Sequence, residues 1–220
     1  MVKQERSERT RRNLIRAAST VFDQAGYEGA TLSVISERAQ VTKGALFFHF
    51  AAKSDLARAV QAEACVTSGA ALVELTRRET PAFEIATAMA HTLVGLLETD
   101  LVVRAGARLT QEIRTPDDPS LHCHLNWLGA LHGALRRASR DGSLLPEVDV
   151  RAAAALMLSM ITGTTALPRV PTSTPPPLQP QPPRAPHSHP HSHSPRETGD
   201  QWLTRMLHLT RPALSSLPTR

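Results

Sequence analysis

The chain has 220 residues, enough for one large domain or two small ones. It is 41% apolar and 20% charged with only 4% aromatics, so its core has to be built from Ala, Leu, Val and Ile, a composition that favours helices over strands. A formal charge of +5 suits a polyanionic partner. The charged start, MVKQERSERTRRN, runs into no continuous apolar stretch, and no segment approaches the roughly 20 apolar residues of a membrane span. The expectation is a soluble cytoplasmic protein with no signal peptide and no membrane partner. Cys65 and Cys123 are far apart in sequence and form neither a disulfide framework nor a Cys-x-x-Cys knuckle, which suits a reducing compartment.

Taken in order, Arg9 to Phe22 places Leu14, Ala17, Ala18, Val21 and Phe22 on one helical face, and Gly26 is suited to end that helix. Ser33 is the expected N-cap of a short helix reaching Ala39. Thr42 is expected to cap a second, Lys43 to Phe50, and Ser54 a longer one starting near Asp55. Helical patterning continues to about Thr165, with breaks at Thr80-Pro81, Pro116 to Pro119, Asp141-Gly142 and Pro146. No run of alternating β-branched residues argues for a sheet. Residues 168–196 are dominated by Pro, Ser and His and predict a disordered or polyproline-like insertion. A last helix is expected from Asp200 to about Arg211, carrying Trp202, Leu203, Met206, Leu207 and Leu209.

The most informative stretch is TLSVISERAQVTKGALFFHFAAKSD, Thr31 to Asp55. Two short helices meet at a tight turn around Gln40 and Val41. Ile35, Ala39, Val41, Leu46 and Phe50 are spaced to pack them together, which leaves Thr42, Lys43, Gly44, Phe47 and His49 facing out. This is the pattern of a helix-turn-helix whose second helix enters the DNA major groove. With the preceding KQERSERTRRNLIRAASTVFDQAGYEGA, the stretch resembles the TetR family of regulators, in particular the γ-butyrolactone receptor branch of actinomycetes.

The resemblance covers residues 1 to 65 most specifically, is looser beyond them and stops in the Pro/His segment. Two residues depart from the family pattern. Gln40 stands where members commonly have glycine, and Phe47 where many have a tyrosine whose hydroxyl can reach a phosphate. The resemblance implies DNA contacts from Thr31, Ser33, Thr42, Lys43, Gly44, Ala45, Phe47, His49 and Lys53. Lys43 is the leading charged contact, and Thr42, Gly44 and Ala45 lie at the groove-facing helix start. The basic residues Lys3, Arg6, Arg9, Arg11 and Arg12 would either add an arm on the DNA or form a solvated helix face.

The resemblance also implies an all-α architecture: a three-helix N-terminal reading head (1–53) and a helical ligand-binding and dimerisation domain (54–167). Residues 197–220 would complete that domain after the 168–196 insertion. Trp127, in HLNWLGALHGALRRASRDGSLLPEVD, matches a tryptophan that touches the lactone in the receptor branch, and an indole offers a broad apolar face and one N–H donor. Met89, Leu93, Leu109, Gln111, Leu131 and Thr162 are candidates to surround it, from their character and the helices that carry them.

The function so implied is a homodimeric repressor of secondary-metabolite genes. It would sit on a pseudo-palindromic operator and be released by a γ-butyrolactone-like inducer. A pseudo-receptor answering to an antibiotic or biosynthetic intermediate is the near alternative. A metal-binding protein using His187, His189, His191 and His193 is the distant one. No phosphate loop, G-x-S-x-G elbow or catalytic constellation is present, so neither an enzyme nor a cofactor or resident metal is expected.

Overall fold

The computed structural model describes residues 2–113, 121–166 and 198–216. The Pro116 to Pro119 break and the Pro/His segment expected over 168–196 lie outside the described residues. Those residues form the helices α1 (Val2–Gly29), α2 (Leu32–Arg38), α3 (Lys43–His49), α4 (Lys53–Leu75) and α5 (Ala82–Thr99). They continue with α6 (Leu101–Glu112), α7 (Cys123–Asp141), α8 (Val150–Ala166) and α9 (Gly199–Leu214). The protein is all-α, as the composition and the resemblance implied. An isolated bridge between Leu144 and Ser215 is the one β-type pairing among the described residues.

Apolar spacing sorts the helices into two clusters. Leu14, Ala17, Ala18, Val21 and Phe22 of α1 are buried together with Ile35, Leu46 and Phe50. A second cluster gathers Phe83, Met89 and Leu93 of α5, Trp127 and Leu131 of α7, Met157 and Ile161 of α8, and Leu203 and Leu207 of α9. Two helices run through both. On α4, Leu56, Ala57 and Val60 belong to the first cluster and Ala64, Leu72 and Leu75 to the second. On α6, Ala105 and Leu109 face the first, Val103 and Ala107 the second. Where α4 and α6 cross, a Cβ on Gly106 would stand 2.4 Å from the Ala64 Cβ, so the crossing requires a residue with no side chain.

Helix α1 is longer than its apolar face predicted, starting at Val2, and Gly26 breaks it in the left-handed region at φ 72°. The break is held by α6. Arg104 Nε donates to Asp23 Oδ1 at 2.9 Å, Arg108 donates to the Asp23 carbonyl, and Glu112 accepts the Tyr27 N–H. These three side chains are four residues apart, so one stripe of α6 clasps the end of α1. Burial disfavours the Glu112 charge, but the Tyr27 N–H and the Arg108 guanidinium outweigh it and hold the carboxyl below its ordinary range.

Two caps differ from expectation. Thr31, not Ser33, caps α2, accepting the Val34 N–H at 3.3 Å, because the helix begins one residue before Ser33. Helix α4 begins at Lys53 rather than at Asp55, and Ser54 lies inside its first turn. Its N-cap, Ala52, has no acceptor side chain, and Asp55 reaches back to the Ala52 N–H at 3.1 Å instead. Thr42 caps α3 as expected, accepting the Ala45 N–H at 3.1 Å.

At the far end, Asp149 accepts the Arg151 and Ala152 N–H groups and opens α8. Thr198 and Gln201 form a reciprocal capping box on α9, which extends three residues past Arg211. The end of α9 is tied to the α7–α8 connection through Leu145 N–H to Leu214 O at 3.0 Å and Ser215 Oγ to Ser143 O at 3.1 Å. Leu156 on α8 and Leu209 on α9 remain exposed. Among the described residues no single helix is long and apolar enough to cross a membrane.

Candidate nucleic-acid interface and ligand pocket

Helices α2 and α3 are fixed from below by Ile35, Leu46 and Phe50, with Ala39 and Val41 packed half-buried beside them. The turn is closed by Val41 N–H to Ser36 O at 3.0 Å and Gln40 N–H to Glu37 O at 3.0 Å. Gln40 has φ 55°, the left-handed conformation that explains why glycine is the usual choice in such a turn.

Leu46 and Phe50 are one helical turn apart and both point inward, so the rest of α3 faces out. Thr42, Lys43, Gly44 and Phe47 are all exposed, while Ala45 and His49 are half-buried. A Cβ on Gly44 would meet nothing nearer than Thr42 Oγ1 at 3.9 Å. Internal packing does not demand that glycine, and what its bareness permits is a close approach from outside. Thr31 and Ser33 are exposed on α2 beside this face.

Phe48 escaped the sequence reading, yet it is 81% exposed and lies edge-on to His49 with ring centroids 5.2 Å apart. The signal was available: with positions 46 and 50 inward, 47 and 48 must both face out.

Lys53, expected among the DNA contacts, is held within the head. Its ammonium donates to the Tyr27 carbonyl at 2.8 Å and the Ala30 carbonyl at 3.2 Å, and lies 4.4 Å from the Tyr27 ring centroid. It joins the start of α4 to the end of α1. Of the basic run, Arg6, Arg9 and Arg12 are exposed on α1, whereas the Arg11 guanidinium packs 5.3 Å over the Phe50 ring.

The second site is a cavity of about 490 Å³ between α4, α5 and α7. Gly69, Leu72, Val73 and Thr76 line it from α4, Met89 from α5, and Trp127, Ala130, Gly133 and Ala134 from α7. Its volume lies within the range of small-molecule sites, roughly 300–1,000 Å³. Asn126 and Arg137 stand at its solvent-exposed rim, where Arg137 Nη1 donates to the Thr76 carbonyl at 3.4 Å.

Trp127 is 1% exposed, and its indole N–H is already committed to Ser68 Oγ at 2.9 Å. It therefore presents a ring face to the cavity, not a free donor. His124 packs against it with ring centroids 5.2 Å apart, and burial and then the neighbouring His122 hold the His124 imidazole pKa below its ordinary value.

Of the candidates named from sequence, Trp127 and Met89 line this cavity. Leu93 and Leu131 are buried in the same cluster without reaching its wall. Leu109 faces the other cluster, because α6 divides its apolar residues between the two. Gln111 is exposed on α6, and Thr162 bonds back to Leu158 O on α8 at 3.1 Å. The missed wall is a pair of stripes at helical spacing: 69, 72, 73, 76 on α4 and, beside Trp127, 130, 133, 134, 137 on α7. Their small residues are what leave the space.

The cysteines need a larger correction. They are neighbours, with Sγ atoms 3.1 Å apart, because α4 and α7 pack side by side and bring together residues 58 apart in sequence. Both are free thiols.

Residues 14–60 match the family model described as bacterial regulatory proteins, tetR family. The chain is 34% identical over 163 residues to the A-factor receptor protein of Streptomyces griseus, across 74% of this chain and 56% of that one. It thus spans little more than half the length of that relative. A solved γ-butyrolactone receptor, an ArpA-like protein, superposes with a TM-score of 0.65 at 34% identity, covering 71% of this chain and 81% of the other. CprB from Streptomyces coelicolor, solved in complex with its biological operator sequence, superposes with a TM-score of 0.63 at 35% identity, covering 72% and 81%. The chain belongs to the tetR family of bacterial regulatory proteins, and within it to the branch of the γ-butyrolactone receptors.

Proposed function

We propose that this protein is a cytoplasmic, non-enzymatic, homodimeric repressor of antibiotic or related secondary-metabolite genes, released from its operator by a γ-butyrolactone-type small molecule. The observation that carries this reading is one helix with two ends. The start of α4 is bound to the reading head through Lys53 and Leu56, and its last turns wall the cavity with Leu72, Val73 and Thr76. Its 23 residues span roughly 35 Å at the helical rise. A ligand entering between α4 and α7 acts on the Thr76 end, and the close Gly106–Ala64 crossing makes a natural pivot. Displacement at one end of a stiff helix is then delivered to the head at the other.

Residues 1–53 would serve the DNA, and 54–167 with 197–220 the ligand and the partner copy. On the head, Lys43 and the open backbone at Gly44 and Ala45 would enter the major groove. Thr31, Ser33, Thr42, His49 and the rings of Phe47 and Phe48 would border the phosphates and sugars. In the cavity, the Trp127 ring and Met89 would hold an acyl chain, while Asn126, Thr76 and Arg137 offer polar groups at the mouth. The exposed Leu156 and Leu209 on α8 and α9 suit burial against a second copy, which sets two heads at the spacing of an operator's half-sites. The ligand must bind the DNA-incompetent arrangement more tightly, or it shifts nothing.

A gel shift on the upstream promoter region tests this, with and without a γ-butyrolactone extract. The expected result is a specific shift that the extract abolishes. Lys43→Ala and His49→Ala should each weaken operator binding while circular dichroism stays helical. A shift insensitive to the lactone would move the ligand to the pseudo-receptor class, and unchanged affinity in both variants would remove α3 from the DNA.

A further inference from the structure

We propose that Cys65 and Cys123 are an oxidisable dithiol that peroxide closes to a disulfide, fastening α4 to α7 one helical turn from the Trp127 end of the cavity. The two sulfurs, 3.1 Å apart, are already nearer than unbonded sulfurs normally pack, and about 1 Å of approach brings them to the bonded distance of about 2.05 Å. Each is carried on a packed helix, Cys65 in the middle of α4 and Cys123 at the first position of α7.

The pair is asymmetric in the way a two-step oxidation needs. Cys65 is partly exposed and Cys123 fully buried. The hydrogen bond between the two sulfurs, and then one from the Asn126 side chain, hold the Cys65 thiol pKa below the ordinary value, against the effect of burial. The same S–H bond, together with burial, pushes the Cys123 thiol up. The attacking sulfur is thus the reachable one, and its neighbour waits in the core.

The chemistry balances with a hydroperoxide as oxidant. The Cys65 thiolate attacks one peroxide oxygen, the O–O bond breaks, and the other oxygen leaves as hydroxide, which takes a proton to become water. Cys65 is then a sulfenic acid. The Cys123 sulfur attacks the Cys65 sulfur, loses its proton, and expels a second water. Two thiols and one peroxide become one disulfide and two waters, and a dithiol reductant reverses the change.

The position gives the bond mechanical consequence. One turn along both helices is the Ser68–Trp127 hydrogen bond, and at the far end of the cavity Arg137 bonds to the Thr76 carbonyl. Cys65–Cys123 is the first rung of this α4–α7 ladder in chain order and the one that can become covalent. This inference concerns the thiols and the two helices, and stands whatever ligand the cavity takes.

The test uses the full-length reduced protein and a modest excess of hydrogen peroxide. Thiol titration in denaturant should fall from two to zero per chain, with a crosslinked Cys65–Cys123 peptide from monomeric chains, and dithiothreitol should restore both thiols. In Cys123→Ser, Cys65 should stop as a sulfenic acid that dimedone captures; in Cys65→Ser, Cys123 should stay a thiol. The oxidised wild type should melt several degrees above the reduced protein, since the bond closes a long loop of the unfolded chain. Thiols that persist, that pair between chains, or that oxidise equally fast in Cys65→Ser would overturn the dithiol. An unchanged or lower melting temperature would overturn the fastening. The wild-type measurements decide the matter even if a serine variant folds poorly.

Discussion

The reading head and the cavity layer are built by opposite uses of side-chain volume. Around α2 and α3 the inward positions carry the large side chains Leu14, Phe22, Ile35, Leu46 and Phe50, with Ala17 and Ala18 packed between them, and the working surface is what remains outside. Between α4 and α7 the inward positions include Gly69, Ala130, Gly133 and Ala134, and the working surface is the volume they fail to fill. A filled core tolerates no loss of volume, whereas a lined cavity depends on the few large residues that keep its walls apart. Both regions lean on glycine, but for different reasons: Gly44 keeps an outer surface bare, and Gly106 lets two helices meet.

Trp127 is the severest test of the second half of that comparison. If it holds the cavity wall, Trp127→Ala should cost about 3–5 kcal/mol in urea denaturation, the range for deleting a buried aromatic. Trp127→Phe keeps one aromatic ring but loses the pyrrole half of the indole and the bond to Ser68 Oγ, so it should cost about 1–3 kcal/mol, less than the alanine variant. A loss under about 1 kcal/mol in the alanine variant would mean that the layer does not depend on this residue for its shape.

Next in size is the joint between the regions. Gly106→Val places a branched side chain where even a Cβ would stand 2.4 Å from Ala64, and should destabilise by about 1–3 kcal/mol. Because α4 and α6 belong to both clusters, one cooperative transition at lower denaturant is expected. A variant that melts in two steps would show that the halves are energetically separate.

How much of this was legible beforehand follows the same division. Short-range spacing locates α1 to α3, since burial there follows from residues three and four apart, and the Thr42 cap and the outward Lys43 and Gly44 come with it. The cavity depended on residues 58 or more apart meeting across α4 and α7, which no local pattern encodes. Trp127 was found through resemblance; of the companions chosen for apolar or small polar character, Met89 reaches the wall, while Leu93, Leu109 and Leu131 are core residues. Absence of bulk was the better guide. The cysteine pair failed for the same reason: separation in sequence was read as separation in space.

Gln40 offers a gain instead of a loss, confined to the head. A non-glycine residue at φ 55° carries the left-handed penalty of about 1–2 kcal/mol, and glycine gives back about 0.5–1 kcal/mol in unfolded-state entropy. Gln40→Gly should therefore stabilise by about 0.5–1 kcal/mol and leave the combined fluorescence of Trp127 and Trp202 unchanged. A destabilised variant would show that the Gln40 side chain repays its strain with contacts of its own.

The smallest effect should come from the clasp of α6 on the end of α1. The Glu112 carboxyl has a folded pKa below its ordinary 4.5, so its contribution to stability is complete above that value and is lost as pH falls through the lower folded one. Asp141 and Asp149 are lowered too, and they add the same acid sensitivity to any variant that keeps them. The useful quantity is therefore a difference. Glu112→Gln keeps an oxygen to accept the Tyr27 N–H but carries no charge for Arg108. Wild type should melt slightly above Glu112→Gln near neutral pH, and the gap should close as the pH falls below 4.5 and through the lower folded value, where the wild-type carboxyl takes up its proton. Salt should narrow the gap as well, because the clasp lies near the surface. A gap that persists into acid would mean that the carboxylate acts through shape and not through charge, and the joint between head and cavity layer would then rest on the Gly106 crossing and the shared apolar face of α6.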